Sequence, residues 1–181
     1  MNKTIWAHLA ILGANVIYGL NFGIAKSLMP RYIGAQALSV YRVVGATLLF
    51  WLLSFVGKYE RVERRDLLPL AVAALFGVCI NQNLFLKGLS LSSPIDASII
   101  VTSNPVVVLL IASIMLGVPV TFRKITGIAF GILGALFIIL KSHSFELRSE
   151  NTWGNILVFI NAVSYSFYLV FIKRLSDRYQ P

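Results

Sequence analysis

The sequence predicts an all-α, polytopic transmembrane helical bundle of about six spans, and three observations carry that prediction. Apolar residues make up 57% of the 181 positions and charged residues only 13%, for a mean hydropathy of +0.80, well beyond the balance of a water-soluble domain. Six apolar runs come near the roughly 20 residues a helix needs to cross about 30 Å of hydrocarbon. The hydrophilic gaps between those runs are short, and the basic residues gather in them.

The first run, residues 5–28, follows Met-Asn-Lys-Thr and is longer than the apolar core of a signal peptide. It lacks a convincing small-residue cleavage site before Gly13 or Ala14, so it reads as a retained helix. The second run, 37–56, carries Arg42 early in its length, and the third, 67–86, holds Asn81, Gln82 and Asn83. The fourth, 95–116, is interrupted near its middle by Asn104-Pro105. The fifth, 126–140, is short, so its ends are expected to extend towards Phe122 and Lys141. The sixth covers 153–172. Continuous runs rich in Leu, Ile and Ala exclude a closed β-barrel, which needs alternating segments of about ten residues. Gaps such as 29–36, 57–66 and 87–94 are too short for a soluble domain and make successive helices antiparallel neighbours.

A formal charge of +9 would suggest nucleic acid in a soluble protein, but membrane topology explains it better. One side of the predicted bundle collects ten Lys and Arg residues and the other five, with Arg42 inside a span. The positive-inside rule therefore places the N-terminus in the cytoplasm of a cell whose inner (plasma) membrane holds the chain. Six of the seven carboxylates lie outside the apolar runs, and only Asp96 lies near one. Cys79 stands alone, which excludes an internal disulfide or thiolate cluster. His8 and His143 sit at opposite membrane edges without further ligands, so neither a metal nor another cofactor is expected.

Shifting the sequence by 147 residues aligns the first run with the sixth: Trp6 meets Trp153, Tyr18 meets Tyr165, Lys26 meets Lys173, Arg31 meets Arg178 and Tyr32 meets Tyr179. A repeat unit of five helices re-enters the membrane from the opposite face, giving the inverted repeats of secondary transporters. On this reading residues 1–145 form one unit and 146–181 begin a second, and the chain is expected to be a piece of a ten-helix protein.

Several segments in order make a recognisable set: Leu-Ala-Ile-Leu-Gly-Ala-Asn-Val-Ile-Tyr-Gly-Leu-Asn-Phe in the first helix, Arg42, Ser93-Pro94 ahead of Asn104-Pro105, the connector from Leu116 to Lys124, and a glycine-rich fifth helix. The chain resembles the EamA family of the drug/metabolite transporter superfamily over essentially its whole length. That resemblance implies a ten-helix permease with cytoplasmic termini that moves small metabolites, often amino acids or related solutes, by alternating access. Val118 departs from the family pattern, where a Glu commonly follows Leu-Gly.

Polar groups inside spans cost several kcal/mol unless they face other helices or a wet cavity, which makes them the pathway candidates. On the first helix these are Asn15, Tyr18 and Asn21; Asn15 and Asn21 are out of phase, so only one is expected to line a pathway. Asn81, Gln82 and Asn83 point in three directions around the third helix, and at least one should reach a polar cavity. Pro105 removes a backbone donor beside Asn104 and frees carbonyls in mid-span. Asn161, Tyr165 and Tyr168 form a stripe on the sixth helix. Arg42 and Asp96 are read as structural or outer-gate residues that could pair, with Asp96 more readily a solvated residue at a helix start. Gly19, Gly23, Gly127, Gly131 and Gly134 mark close helix contacts.

The leading function is thus a transporter whose partners are the lipid bilayer and a small-molecule substrate, with no nucleic acid, and which is completed by a missing second half or by a homo-oligomer. The alternative is a noncatalytic membrane assembly or regulatory subunit whose polar residues only join helices. An intramembrane enzyme is disfavoured, because no nucleophile beside a base, no paired acids and no metal-ligand set is present in the sequence.

Overall fold

A computed structural model describes residues 3–56, 62–117, 119, 121–141 and 150–179, and every regular element among them is helical. The elements are α1 (Lys3–Leu28), α2 (Ala35–Ser54), a 3₁₀ turn (Arg64–Asp66), α3 (Leu67–Ala74), a π-helical turn (Leu75–Ile80), α4 (Asn81–Leu91), α5 (Pro94–Thr102), α6 (Asn104–Leu116), α7 (Phe122–Lys141) and α8 (Glu150–Ser176). Five stretches are long and apolar enough to cross a membrane: Ile5–Leu28, Ala35–Ser54, Arg64–Leu91, Pro94–Leu116 and Glu150–Lys173. With the 20-residue α7, whose ends match the expected extension to Phe122 and Lys141, they make the polytopic bundle that the hydropathy predicts.

The third span continues past residue 86 to Leu91, so the expected 87–94 gap contracts to Ser92 and Ser93. Its continuation is held by packing: Leu86 and Leu89 are fully enclosed, and in lipid such enclosure stabilises through van der Waals contact between helices rather than removal from water. Ser93 then caps α5, its Oγ accepting the Asp96 N–H at 3.0 Å, with Pro94 in the first turn. Both are favoured helix starts, since Ser satisfies an orphan donor and Pro has none to satisfy.

α8 is the spine of the bundle and packs on α4, α6, α5, α3 and the π-turn. The core gathers Phe22, Ala25 and Met29 at one end of α1 with Phe85, Leu86, Leu89, Ala97, Ile100 and Val158. Phe22 meets Phe85 edge-on, with ring centroids 5.2 Å apart. The rest of α1 and nearly all of α2 turn apolar side chains outward, as expected of lipid-facing helices.

The glycines that permit close approach differ from those singled out in the sequence. Gly19, Gly23, Gly127 and Gly134 have open space where a Cβ would stand, and only Gly131 of that set faces a neighbour, Val106. The tight crossings are at Gly88 and Gly154, where α4 and α8 touch backbone to backbone, and at Gly77, which lies against the Tyr168 ring. Helical spacing of small residues shows where an approach is permitted, while the crossing point depends on which helix arrives.

Candidate functional site

The π-turn in the third span sets up the site. Winding one turn wider shifts the hydrogen-bond ladder and rotates the residues that follow, so that Asn81 and Gln82 face the middle of the bundle. Donors from α8 serve the carbonyls of this stretch: Ser164 Oγ donates to Phe76 O at 2.8 Å and Asn161 Nδ2 donates to Asn81 O at 2.9 Å. The same step turns Asn83 away into a groove against α2, where its Nδ2 donates to Cys79 O at 2.8 Å.

Asn81 and Gln82 line a central cavity of about 230 Å³ together with Asn15, Tyr18 and Asn21 of α1, Arg42 of α2, Asn104 of α6, and Asn161 and Tyr165 of α8. Phe22, Phe85 and Val101 supply its apolar wall. Asn15 and Asn21 both line the cavity, although their helical phases differ. Tyr18 stands between them, and three residues on a helix displace a side chain by only about 60°, so each amide flanks the tyrosine from its own side.

Tyr168 lies outside this cavity; its ring packs against Tyr165 with centroids 5.9 Å apart and covers Gly77. The fourth span breaks at Ser103, as the Asn104-Pro105 pair requires, and Ser103 Oγ donates to Ile100 O at 2.6 Å. One carbonyl near the break is thereby satisfied internally. Asn104 faces the cavity and Pro105 does not.

Among the described residues Arg42 and Asp96 form no ion pair, which corrects the expected pairing. Asp96 belongs to the first turn of α5, where a carboxylate is favoured by the helix dipole. Arg42 instead leaves Nη1 buried and without a hydrogen-bond partner, as do Gln82 Oε1 and Asn104 Oδ1 in the same cavity. Buried polar atoms are normally paired; Asn155 Nδ2 and Ser166 Oγ of α8, outside this cavity, are likewise unmatched. Val118, His143 and the boundary at residues 145 and 146 lie outside the described residues.

Two polar clusters escaped the sequence reading. Lys26 Nζ donates to Leu89 O, Ser90 O and Ser92 O at 3.0, 2.8 and 2.6 Å, tying the end of α1 to the C-terminal carbonyls of α4. At the opposite end of the bundle Asp66 is buried and accepts from Arg178 Nη1 at 3.2 Å and Tyr179 Oη at 2.6 Å. A cavity of about 300 Å³ adjoins that cluster, but both Asp66 oxygens are already engaged and its wall is mainly apolar. The carboxylate directly before an apolar run was the available sequence signal for this cluster.

Comparison with known proteins agrees with this architecture. The sequence model of the EamA-like transporter family matches residues 5–140. An uncharacterized transporter of Archaeoglobus fulgidus is 28% identical over 97% of this chain and 60% of its own length. One from Methanothermobacter thermautotrophicus is 28% identical over 97% of this chain and 55% of its own. The uncharacterized transporter YyaM of Bacillus subtilis is 24% identical over 95% and 57%. The chain therefore spans a little over half the length of these curated relatives. No solved structure matches it.

Proposed function

This chain belongs to the EamA-like transporter family, and we propose that its central cavity is one half of the substrate pathway of a secondary transporter for small polar metabolites. The observation that carries the reading is the cavity itself. Eight uncharged polar side chains and one arginine from five helical spans surround a space of about 230 Å³, while the outer faces of α1 and α2 are largely apolar. A helix-joining role alone would pair those groups with one another; three of them keep buried atoms unmatched.

In this proposal residues 1–145 are the first of two inverted five-helix units and 146–181 open the second. The two units rock about the shared site to give alternating access. The ten-to-five distribution of Lys and Arg supports an inner-membrane protein with a cytoplasmic N-terminus. We assign the chain no covalent chemistry; binding and orientation are the work of its amides, tyrosines and Arg42.

The test is solute flux in proteoliposomes, comparing the 181-residue chain with a form extended to the length of its relatives, over a panel of amino acids and small metabolites. Flux in the extended form is expected. Flux in the short chain as well would mean that two copies assemble the pathway. If neither form carries any solute, the transport reading fails and a noncatalytic subunit takes its place.

A further inference from the structure

The repeat between the first and sixth spans recurs in the structure as a shared helix ending. Beyond α1 the Tyr32 N–H donates to Leu28 O at 3.0 Å, and beyond α8 the Tyr179 N–H donates to Leu175 O at 3.3 Å. Donor matches donor and acceptor matches acceptor at the repeat spacing, and each ending carries an Arg-Tyr pair, Arg31-Tyr32 or Arg178-Tyr179. The two pairs differ in what they hold. Arg178 Nη1 and Tyr179 Oη donate to opposite oxygens of the buried Asp66, at the head of the third span, across 3.2 and 2.6 Å. Arg31 instead lies over the Tyr32 ring, 5.4 Å from its centroid, and both side chains are exposed. Among the described residues no carboxylate lies within ion-pair reach of Arg31; Asp96 and Glu150, at that end of the bundle, belong to the first turns of α5 and α8.

Resting on the two-unit reading above, we propose that Arg31 and Tyr32 are a docking pair for a carboxylate at the head of the third span of the second unit, as Arg178 and Tyr179 are for Asp66. An inverted repeat maps the contact between the sixth helix and the third span of the first unit onto one between the first helix and the third span of the second. The same operation carries the latch to the opposite membrane face, which is where α1 ends. The chemistry selects an acid: the guanidinium fork matches a carboxylate, and the phenol adds a second donor, as at Asp66. An apolar or basic partner brings Arg31 neither an acceptor nor an opposite charge. Both latches join one unit to the other. At the inner one, apolar packing between α3 and α8 is incomplete, because a cavity of about 300 Å³ is lined by Pro69, Val170, Phe171 and Leu175. Nearer the other end of α8 the backbones touch at Gly88 and Gly154. The Arg-Tyr pairs are thus the contacts that rocking of the units makes and breaks.

The test reads stability rather than flux, so that coupling without transport fails only the transport reading and transport without coupling fails only this one. In a form extended to the length of its relatives, an Asp or Glu should stand within one helical turn of the position that the repeat spacing places beyond Asp66. In lipid nanodiscs, Arg31→Gln and neutralisation of that acid to its amide should each lower the melting temperature by about 2 °C or more. The double variant should fall little further than either alone, because the second change removes an interaction already lost. Arg178→Gln with Asp66→Asn supplies the same cycle for the latch that is closed in the structure, and should be equally non-additive. The proposal is overturned if the extended sequence has no acid at that place, if the Arg31 cycle is additive, or if the Arg178 cycle is additive, since the template for the outer pair is then gone.

Discussion

Tyr179, three residues beyond the end of α8, donates its phenolic hydrogen to Asp66 across 2.6 Å and accepts the Glu63 N–H at 3.2 Å. With Arg178 on the other Asp66 oxygen, it ties the end of the sixth span to the start of the third. The bond to Asp66 holds the Tyr179 phenol above its ordinary value, with the Glu63 N–H pulling the other way.

A phenol whose folded value is raised contributes stability that is complete below its unfolded value, about 10, and is lost as pH rises through the folded one. The melting-temperature difference between the native protein and Tyr179→Phe should therefore be constant from pH 7 to 9 and shrink at still higher pH. A difference that persists undiminished near pH 12 would show that the hydroxyl proton is not what joins the two ends.

Gly88 and Gly154 bring α4 and α8 into backbone contact. A Cβ built on Gly88 falls 2.8 Å from Gly154 O, and one on Gly154 falls 2.6 Å from Ser92 N. Each Gly→Ala change should destabilise the protein by about 1–3 kcal/mol through overpacking against rigid backbone. Gly19→Ala, where a methyl group meets open space, should stay within about 0.5 kcal/mol. Unfolding of the three variants in detergent compares them directly.

Lys26 supplies a donor to three carbonyls at the end of α4. Lys26→Met keeps most of the apolar stem of the side chain and removes that donor, and should cost roughly 1–3 kcal/mol by leaving acceptors unserved. Hydrogen exchange should rise at the C-terminal turn of α4 before it rises elsewhere. If α4 is unaffected, the ammonium is a passenger on a helix end stabilised by packing alone.

The charge distribution predicts orientation. In a Cys79→Ser background, Arg31→Cys should react with a membrane-impermeant thiol reagent added to intact cells, and Lys124→Cys should react only after the cells are opened. The reverse pattern would place the N-terminus outside.

Much of this could be read without coordinates. Length, composition and the runs themselves determine the six helices, because a bilayer leaves the backbone no alternative to internal hydrogen bonding. The short fifth run even indicated both ends of α7. Asn81, Gln82, Asn104, Asn161 and Tyr165 stand out because an amide or phenol in hydrocarbon demands an explanation wherever it occurs.

What the sequence could not determine is which of these groups are satisfied, since that depends on partners far away along the chain. The π-turn at Leu75–Ile80 has no composition of its own; Ser164 and Asn161 of α8 donate to carbonyls in and just after it, and beyond it Asn83 turns away while Gln82 lines the cavity. Arg42 and Asp96 lie on spans that could have met, yet α5 keeps Asp96 at its own first turn and leaves the arginine facing the cavity. Local chemistry determined where polar groups had to be, and only the packing of α8 against the third and fourth spans decided which of them line the central cavity and which pair elsewhere.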